Sequence, residues 1–245
     1  MKKSTFCAIT LAIIPGVSAA DTIFGIYAGA GSWQSEFSGT LNTFSAADIN
    51  VGSDLGINDD TNNMLWVAIE HPLPLIPNIK LKSTALEING TNALAQNISF
   101  NNVTIANGTT VVTDLDLTHT DATFYYEILD NWISIDLGLT LRQFDGDLML
   151  TTASRITIDE TIALADAMGQ FELPFSGFYG GFEANAIGLG DSNVTDVTLK
   201  VGYESDLRIG AELGYRIINV TLDDVANLDT DIEISGIYVA VTLHI

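Results

Sequence analysis

Residues 132–144, WISIDLGLTLRQF, alternate between two kinds of side chain. One parity is wholly aliphatic: Ile133, Ile135, Leu137, Leu139 and Leu141. The other parity is small, polar or charged and includes Asp136 and Arg142. Because successive side chains of a strand point to opposite faces, the stretch predicts a strand with one apolar and one polar face. A helix would scatter the two charges among the leucines. The fold therefore depends on whether the aliphatic face contacts a soluble core or lipid.

The first twenty residues have the order of a secretory signal peptide. Lys2 and Lys3 are followed by an apolar run at 6–17 and by the small residues Ser18, Ala19 and Ala20. The run is too short for a membrane-spanning helix, which needs about 20 apolar residues. We predict export, with cleavage near Ala20, and a single mature domain at residues 21–245. An ordinary buried N-terminal helix is the alternative.

Composition excludes several classes of protein. The only cysteine, Cys7, lies within the predicted signal peptide, so the mature domain has neither disulfides nor thiolate metal sites. Without Lys2 and Lys3, seven Lys and Arg residues stand against 31 Asp and Glu residues, a net charge of −24, which argues against nucleic-acid binding. The chain is 47% hydrophobic, yet no long apolar run follows residue 20. This combination favours alternating strands joined by acidic loops.

Ten strands alternate with short and long connections. The predicted strands are 23–34, 63–71, 79–88, 113–128, 132–144, 161–173, 178–189, 197–203, 207–218 and a last strand that ends at Ile245. Four short turns are predicted at 72–78, 129–131, 174–177 and 204–206. Five longer loops are predicted at 35–62, 89–112, 145–158, 190–193 and 221–231. An even strand number with short turns at one end is typical of outer-membrane barrels. We predict an all-β, antiparallel up-and-down transmembrane barrel of ten strands, with eight or twelve as alternatives.

The positive charges distinguish a barrel from a soluble sandwich. Six mature cations share the polar face of their strands: Lys80, Lys82, Arg142, Lys200, Arg208 and Arg216. Only Arg155 falls in a predicted loop. On a lipid-facing surface each cation would cost roughly 2–4 kcal/mol at the midplane, whereas an inner wall offers anions. The predicted lumen charge network is Lys80, Lys82, Glu127, Asp136, Arg142, Glu183, Lys200, Glu204, Arg208, Glu212 and Arg216. A soluble β-sandwich or adhesin-like domain remains the alternative.

Aromatic residues near strand ends predict an interfacial girdle. They are Trp33, Trp66, Trp132, Tyr203 and Tyr215. Glycines at 138, 202, 210 and 214 fall on the predicted inner face, where a small barrel has little room.

Several segments resemble a family of small outer-membrane β-barrel proteins of Gram-negative bacteria without assigned function (OmpA/OmpW-like barrels). They are DTIFGIYAGAGSWQ (21–34), HPLPLIPNIKLK (71–82), ELPFSGFYGGFEAN (172–185), GAELGYRIINVTLDD (210–224) and GIYVAVTLHI (236–245). The resemblance implies the fold and an outer-membrane location, without an activity. Such barrels usually end in Phe, whereas this chain ends in Ile245.

No constellation of residues points to catalysis, a cofactor or a metal. His119 shares a face with Asp121, which is the geometry of a base and its orienting carboxylate, but no nucleophile accompanies them. A rim enzyme that uses His119 is a remote alternative to a lumen hydrogen bond. Acidic clusters lie in the predicted loops: Asp54/Asp59/Asp60, Asp145/Asp147 and Asp223/Asp224/Asp229/Asp231. None has EF-hand spacing, so we expect solvated loops, with weak divalent bridging to lipopolysaccharide as a hypothesis.

Ten strands enclose little more space than the eight-strand case, in which side chains fill the interior. We therefore expect a largely closed, charged lumen and a structural or surface-interaction role, in a monomer that is not an enzyme. A narrow, porin-like channel for small or hydrophobic solutes is the alternative. The expected partners are outer-membrane lipid, lipopolysaccharide and, during biogenesis, the barrel-assembly machinery.

Overall fold

The computed structural model describes residues 24–44, 46–73, 75–150, 155–225 and 228–245. The predicted signal peptide and its cleavage site lie outside these residues. Within the described residues, no helix is long and apolar enough to cross a membrane.

Strands dominate the described part of the chain. In order they are β1 (Gly25–Thr43), β2 (Ile49–Asn50), β3 (Asp60–Glu70), β4 (Asn78–Ala85), β5 (Glu87–Ala93), β6 (Ile98–Phe100), β7 (Val103–Ile105), β8 (Thr110–Asp116), β9 (His119–Asp130), β10 (Ile133–Phe144), β11 (Gly146–Leu150), β12 (Arg155–Ile158), β13 (Thr161–Glu172), β14 (Phe178–Leu189), β15 (Ser192–Glu204), β16 (Ile209–Val225) and β17 (Leu228–His244).

Ten of these strands form a closed antiparallel barrel, which confirms the predicted fold and strand number. The barrel strands are β1, β3, β4, β9, β10, β13, β14, β15, β16 and β17. β1 pairs with β3 on one side and with β17 on the other, where Ala28 lies opposite Leu243. Backbone hydrogen bonds in both directions between Ile26 and Ile245 complete this seam. We call the two ends of the barrel the short-turn end and the long-loop end.

The apolar faces of the barrel strands are exposed and their polar faces are buried, which is the reverse of the arrangement in a soluble protein. On β10, Leu137 and Leu139 are 50% and 48% exposed on the outside, whereas Thr140 and Arg142 are fully buried inside. The same reversal holds on β15, where Leu199 is 60% exposed and Thr198 is buried. The closed barrel with an apolar outer surface excludes the soluble sandwich.

Three strands run far beyond the other strands at the long-loop end. β1 has 19 residues and β16 and β17 have 17 each, whereas about 9–11 residues span a membrane. The prediction of loops was therefore wrong for half of 35–62 and for most of 221–231. Alternation continues through the polar sequence, because Phe37, Leu41 and Ile232 point inward and are buried.

The other long connections also contain strands, which corrects the predicted loops at 89–112 and 145–158. A four-stranded sheet has the order β12-β11-β8-β5, and β6 pairs with β7 in a separate hairpin. The predicted strand at 113–128 is two strands, β8 and β9, which separate at Leu117 and Thr118. Alternate residues of these short strands supply the buried side chains, such as Ile98 and Phe100 of β6 and Leu148 and Leu150 of β11.

These outer elements share one hydrophobic core and form a compact unit, which we call the lid: β2, β5–β8, β11, β12 and the outer parts of β1, β16 and β17. Besides Trp33, the largest fully buried apolar side chains of this core are Phe100, Ile49, Leu55, Ile57, Leu86, Ile88 and Leu150. Gly56 permits the packing of the 51–57 turn, since it has φ +71° and a Cβ there would lie 2.6 Å from the backbone oxygen of Thr91.

Two of the predicted girdle residues lie inside the barrel instead. Trp33 is fully buried in the lid core, and Trp66 lines the lumen. Trp132, Tyr203 and Tyr215 are 44–56% exposed on the outside or at a turn. Trp33 and Trp66 have inward parity on β1 and β3, so position near a strand end was the wrong criterion for them.

Candidate functional site

The lumen below the lid contains a layer of paired charges, which we call the arginine layer: Asp121, Arg142, Asp196 and Arg216. Arg142 on β10 donates Nε to Oδ1 of Asp121 at 2.7 Å and Nη2 to its Oδ2 at 2.8 Å. The same Nη2 donates to Oδ2 of Asp196 at 2.6 Å. Arg216 on β16 donates Nε and Nη2 to the two oxygens of Asp196, at 2.9 and 2.7 Å.

The arginine layer balances two guanidinium groups with two carboxylates in a dry environment. Both arginines are fully buried, and both aspartates are 2% exposed. Bidentate pairing of this kind is the strongest geometry for a guanidinium and a carboxylate. Arg216 also donates Nη1 to the hydroxyl of Thr84 at 3.1 Å, and its guanidinium carbon lies 5.0 Å from the centre of the Trp33 ring. The charged layer thus directly contacts the hydrophobic core of the lid.

His119 is part of this closed arrangement rather than of an accessible rim. It is 2% exposed, its Nδ1 lies 2.9 Å from the carbonyl oxygen of Leu117, and its Nε2 lies 3.4 Å from Nη2 of Arg216. Its ring packs against Phe144 with centroids 5.4 Å apart. Among the described residues, His119, Asp121 and Asp196 come close enough to hold a metal. The aspartate oxygens are already bound by two arginines, so this group does not fit a cation.

A second layer of charges lies nearer the short-turn end, and we call it the lysine layer. Nζ of Lys80 lies 2.6 Å from Oε2 of Glu183, and Nζ of Lys82 lies 3.5 Å from Oε1 of the same residue. Lys200 donates to Oε1 of Glu212 at 2.9 Å. These charged residues lie on β4, β14, β15 and β16, so the lysine layer bridges the barrel.

Tyrosines complete the lysine layer because facing glycines leave them room. The hydroxyls of Tyr179 and Tyr238 donate to Glu212 at 2.9 and 3.3 Å. A Cβ at Gly202 would lie 2.2 Å from the Tyr179 ring, and one at Gly214 would lie 2.3 Å from the Tyr238 ring. The inward glycines therefore create space for aromatic rings that fill the lumen.

Between the layers lies a void of about 30 Å³, lined by Lys82, Glu183, Arg216 and Tyr238 among others. Below the lysine layer the lumen widens into a cavity of about 930 Å³, lined by residues of the barrel wall and of the short turns. We call it the short-turn cavity. Among the described residues, side chains thus fill the lumen at the two charged layers and the lid core, and the large cavity lies at the short-turn end.

The structure brings together some members of the predicted charge network and separates others. The two layers contain Lys80, Lys82, Arg142, Glu183, Lys200, Glu212 and Arg216. Glu127 and Asp136 line the short-turn cavity instead. Glu204 lies 3.6 Å from His244, and Arg208 lies in the turn before β16, where it is exposed and contacts His244 at 3.1 Å.

Asp121 and Asp196 are the central anions of the arginine layer, and the predicted network omitted both. Their parity pointed inward, because Asp121 alternates with Ala122 and Asp196 precedes the outward Val197. Asp166 and Asn185 were also missed. They face each other across β13 and β14, and both are buried.

Two acidic residues of the long-loop end make local contacts. Asp54 accepts a hydrogen bond from the backbone nitrogen of Asn50 at 2.9 Å, and Asp147 pairs with Arg155 at 2.5 Å. This hydrogen bond raises the pKa of Arg155. The side chain of Asp224 lies outside the described residues.

The closed barrel with a polar interior and an apolar outside defines the class of the fold, that of outer-membrane β-barrels. No protein-family model and no curated protein sequence matches the chain. Among solved structures, the outer membrane protease OmpT from Escherichia coli is similar with a TM-score of 0.52 at 11% identity, over 93% of this chain and 98% of OmpT. At this identity the likeness extends to the fold alone.

Two other barrels are less similar. The transport unit of the autotransporter AIDA-I from Escherichia coli has a TM-score of 0.39 at 9% identity, over 94% of this chain and 93% of that chain. The CymD monoaromatic hydrocarbon channel has a TM-score of 0.35 at 7% identity, over 90% of this chain and 88% of that chain.

Proposed function

We propose that this chain is an outer-membrane barrel with a closed lumen, which serves a structural or surface-interaction role without catalysis. The observation that carries the proposal is the arginine layer directly beneath the packed lid. Two bidentate ion pairs and a hydrophobic core occupy the section of the barrel through which a solute would pass. Moving a guanidinium out of this layer would leave a buried carboxylate without its partner, which is strongly unfavourable.

The proposed orientation places the lid outside the cell and the short turns in the periplasm, as is usual for outer-membrane barrels. The predicted signal peptide, the monomeric state, the contacts with lipid and lipopolysaccharide and assembly by the barrel-assembly machinery belong to this proposal. So does membership of the OmpA/OmpW-like family. The apolar outer surface supports the location, and the lid gives the outer end a folded surface for interactions.

Planar-bilayer recording tests the closed lumen. The purified, folded protein should give no stable unitary conductance in 1 M potassium chloride, about the salt at which the Debye length falls to 3 Å and surface charge is screened. An open porin reconstituted in parallel shows that insertion and detection succeed. Stable steps of uniform size from the folded protein would overturn the proposal in favour of a narrow channel.

A channel remains the second candidate function because the short-turn cavity already provides half of a pore. Conduction would require the lysine and arginine layers to separate. Replacing Asp196 and Arg216 with serine removes one charge of each sign from the arginine layer. If the layer is the barrier, this double variant should conduct more often than the wild type.

A further inference from the structure

The short-turn cavity has the size of a small-molecule site and opens away from the lid. Its volume of about 930 Å³ lies at the upper end of the range of roughly 300–1,000 Å³ for ligand pockets. The lysine layer forms its floor, since Lys80, Lys200, Glu183 and Glu212 all line it. A ligand would therefore enter and leave at the short-turn end.

The wall of this cavity carries an excess of negative charge. Among the described residues, nine carboxylates line it against three lysine or arginine side chains. Lys80 and Lys200 are engaged by Glu183 and Glu212. Within the described chain, no ion pair joins Glu70, Glu127, Asp130 or Asp136 to a lysine or arginine. Three of these residues come from the adjacent strands β9 and β10, and Glu70 comes from β3, which β4 separates from β9.

Four acceptor oxygens in or beside the cavity have no hydrogen-bond donor among the described residues. They are Oδ1 of Asp136, both carboxylate oxygens of Asp166 and Oδ1 of Asn185. Asp166 is only 4% exposed, and it is the next inward-facing residue after Met168, which lines the cavity. Asn185 is 3% exposed, follows the cavity residue Glu183 in the same way and lies directly opposite Asp166. A buried carboxylate oxygen without a donor is costly, so Oδ1 of Asp136, which lines the cavity, suits a cationic donor from it. Asp166 and Asn185 lie behind the lysine layer that forms the floor.

One side of the mouth of the cavity is apolar and aromatic. Trp132, Leu173, Phe175 and Phe178 line it, and Phe175 projects fully from its turn with a φ of +62°. Aromatic faces attract ammonium groups and also contact apolar groups. The site thus combines an acidic interior with an entrance that is apolar on one side.

We propose that the short-turn cavity binds an organic amine that carries two or more ammonium groups on an apolar body. One ammonium group lies among the carboxylates of the wall beside Asp136, while the apolar body contacts the aromatic side of the mouth. In the orientation proposed above, the ligand comes from the periplasm. Binding itself does not depend on that orientation or on whether the barrel conducts.

Calorimetric titration of the folded full-length protein in a zwitterionic detergent tests this site, with p-xylylenediamine as the organic probe and magnesium chloride as the inorganic one. The diamine should bind saturably with one ligand per chain and a Kd below about 1 mM. The variant Glu127→Gln/Asp136→Asn should raise that Kd about tenfold or more, because it removes two carboxylates from the wall. The variant Asp59→Asn/Glu160→Gln makes the same change of charge at the long-loop end and should leave the Kd unchanged.

A third variant separates the apolar mouth from the charges. Phe175→Ser changes an exposed turn residue, so the barrel should fold normally, and it should weaken diamine binding several-fold without changing any magnesium binding. Equal losses in the cavity variant and its control would indicate non-specific attraction to an acidic protein and overturn the proposal. Magnesium binding at least as tight as that of the diamine, or no saturable diamine binding, would also overturn it. Unboiled gel mobility verifies the fold of each variant.

Discussion

Arg142 is the residue on which the closure of the lumen most depends. Its guanidinium holds Asp121 with two hydrogen bonds and Asp196 with one, and all three side chains are at least 97% buried. A pair of this kind contributes little compared with well-packed apolar groups, yet the loss of one partner is severe because the other charge stays buried.

Arg142→Met should therefore lower the free energy of unfolding by about 3–5 kcal/mol, since Asp121 keeps its burial and loses its bidentate donor. Denaturant titration in lipid vesicles, followed by tryptophan fluorescence, measures the change. Arg155→Met is the matched control, because Arg155 pairs with Asp147 at the solvent-exposed edge of the lid. Similar losses in both variants would contradict a special role for the arginine layer.

A second prediction at the residue scale concerns the effect of Gly214 on stability. Gly214→Ala should lower the free energy of unfolding by about 1–3 kcal/mol, because its Cβ would force Tyr238 away from Glu212. Gly188→Ala is the control, since nothing lies within 4 Å of a Cβ there. The same titration applies, and equal stabilities for the two variants would mean that the Tyr238 ring has room to move.

At the residue scale, the sequence predicts whether a side chain points inward better than it predicts which residue that side chain pairs with. Parity alone indicated that Arg142, Arg216 and Glu183 face inward, as they do. It did not indicate that Asp196 joins two arginines. Arg216 lies on the adjacent strand β16, whereas Arg142 on β10 reaches Asp196 across the lumen, and that contact depends on the tilt and stagger of the barrel. Parity also predicts the inward positions of Trp33 and Trp66, whereas their position near a strand end predicts the membrane interface, where they do not lie.

Among the elements, the strands of the lid are the ones that the sequence did not predict. Its strands are 2–7 residues long and carry single apolar residues between Asn, Thr and Gly, so the composition of each segment indicated a loop. The segments become strands because they pair with one another and share a core with the outer parts of β1, β16 and β17. Tertiary pairing of this kind overrides local propensity.

The lid contains a trypsin cleavage site whose accessibility reports whether the lid is folded. Arg155 is the site for trypsin on β12, and it is paired with Asp147 across β11. Leu150→Asp places a charge at a fully buried position of the lid core and should greatly accelerate cleavage after Arg155 while the barrel remains folded.

Met149→Asp is the control, because the preceding side chain on β11 is 41% exposed. Gel electrophoresis over a time course of proteolysis measures both rates. Equally slow cleavage in the two variants would mean that the lid core does not depend on Leu150, and loss of the barrel band in either would mean that lid and barrel unfold together.

For the whole molecule, the sequence predicted ten strands and their up-and-down order because each barrel strand alternates over about ten residues. The way in which the lid and the two charged layers fill the lumen could not be predicted from this alternation. It depends on side chains from strands that are distant in sequence, such as Lys80 and Glu183.

The absence of cysteine after Cys7 permits a direct test of the orientation. Asp59→Cys at the long-loop end should react with a membrane-impermeant maleimide on intact cells. Asp206→Cys in a short turn should react only after the outer membrane is permeabilised. Labelling of position 206 but not position 59 on intact cells would reverse the orientation and assign the lid to the periplasm.

β1, β16 and β17 continue without interruption from the barrel into the lid, and this has a mechanical consequence. A force that pulls on the lid acts along the same strands that form the barrel seam, so their interstrand hydrogen bonds carry it in shear. Along this side the lid has no hinge about which to swing. Tension from an attached partner would therefore be transmitted into the barrel wall and would not open the lid along this side.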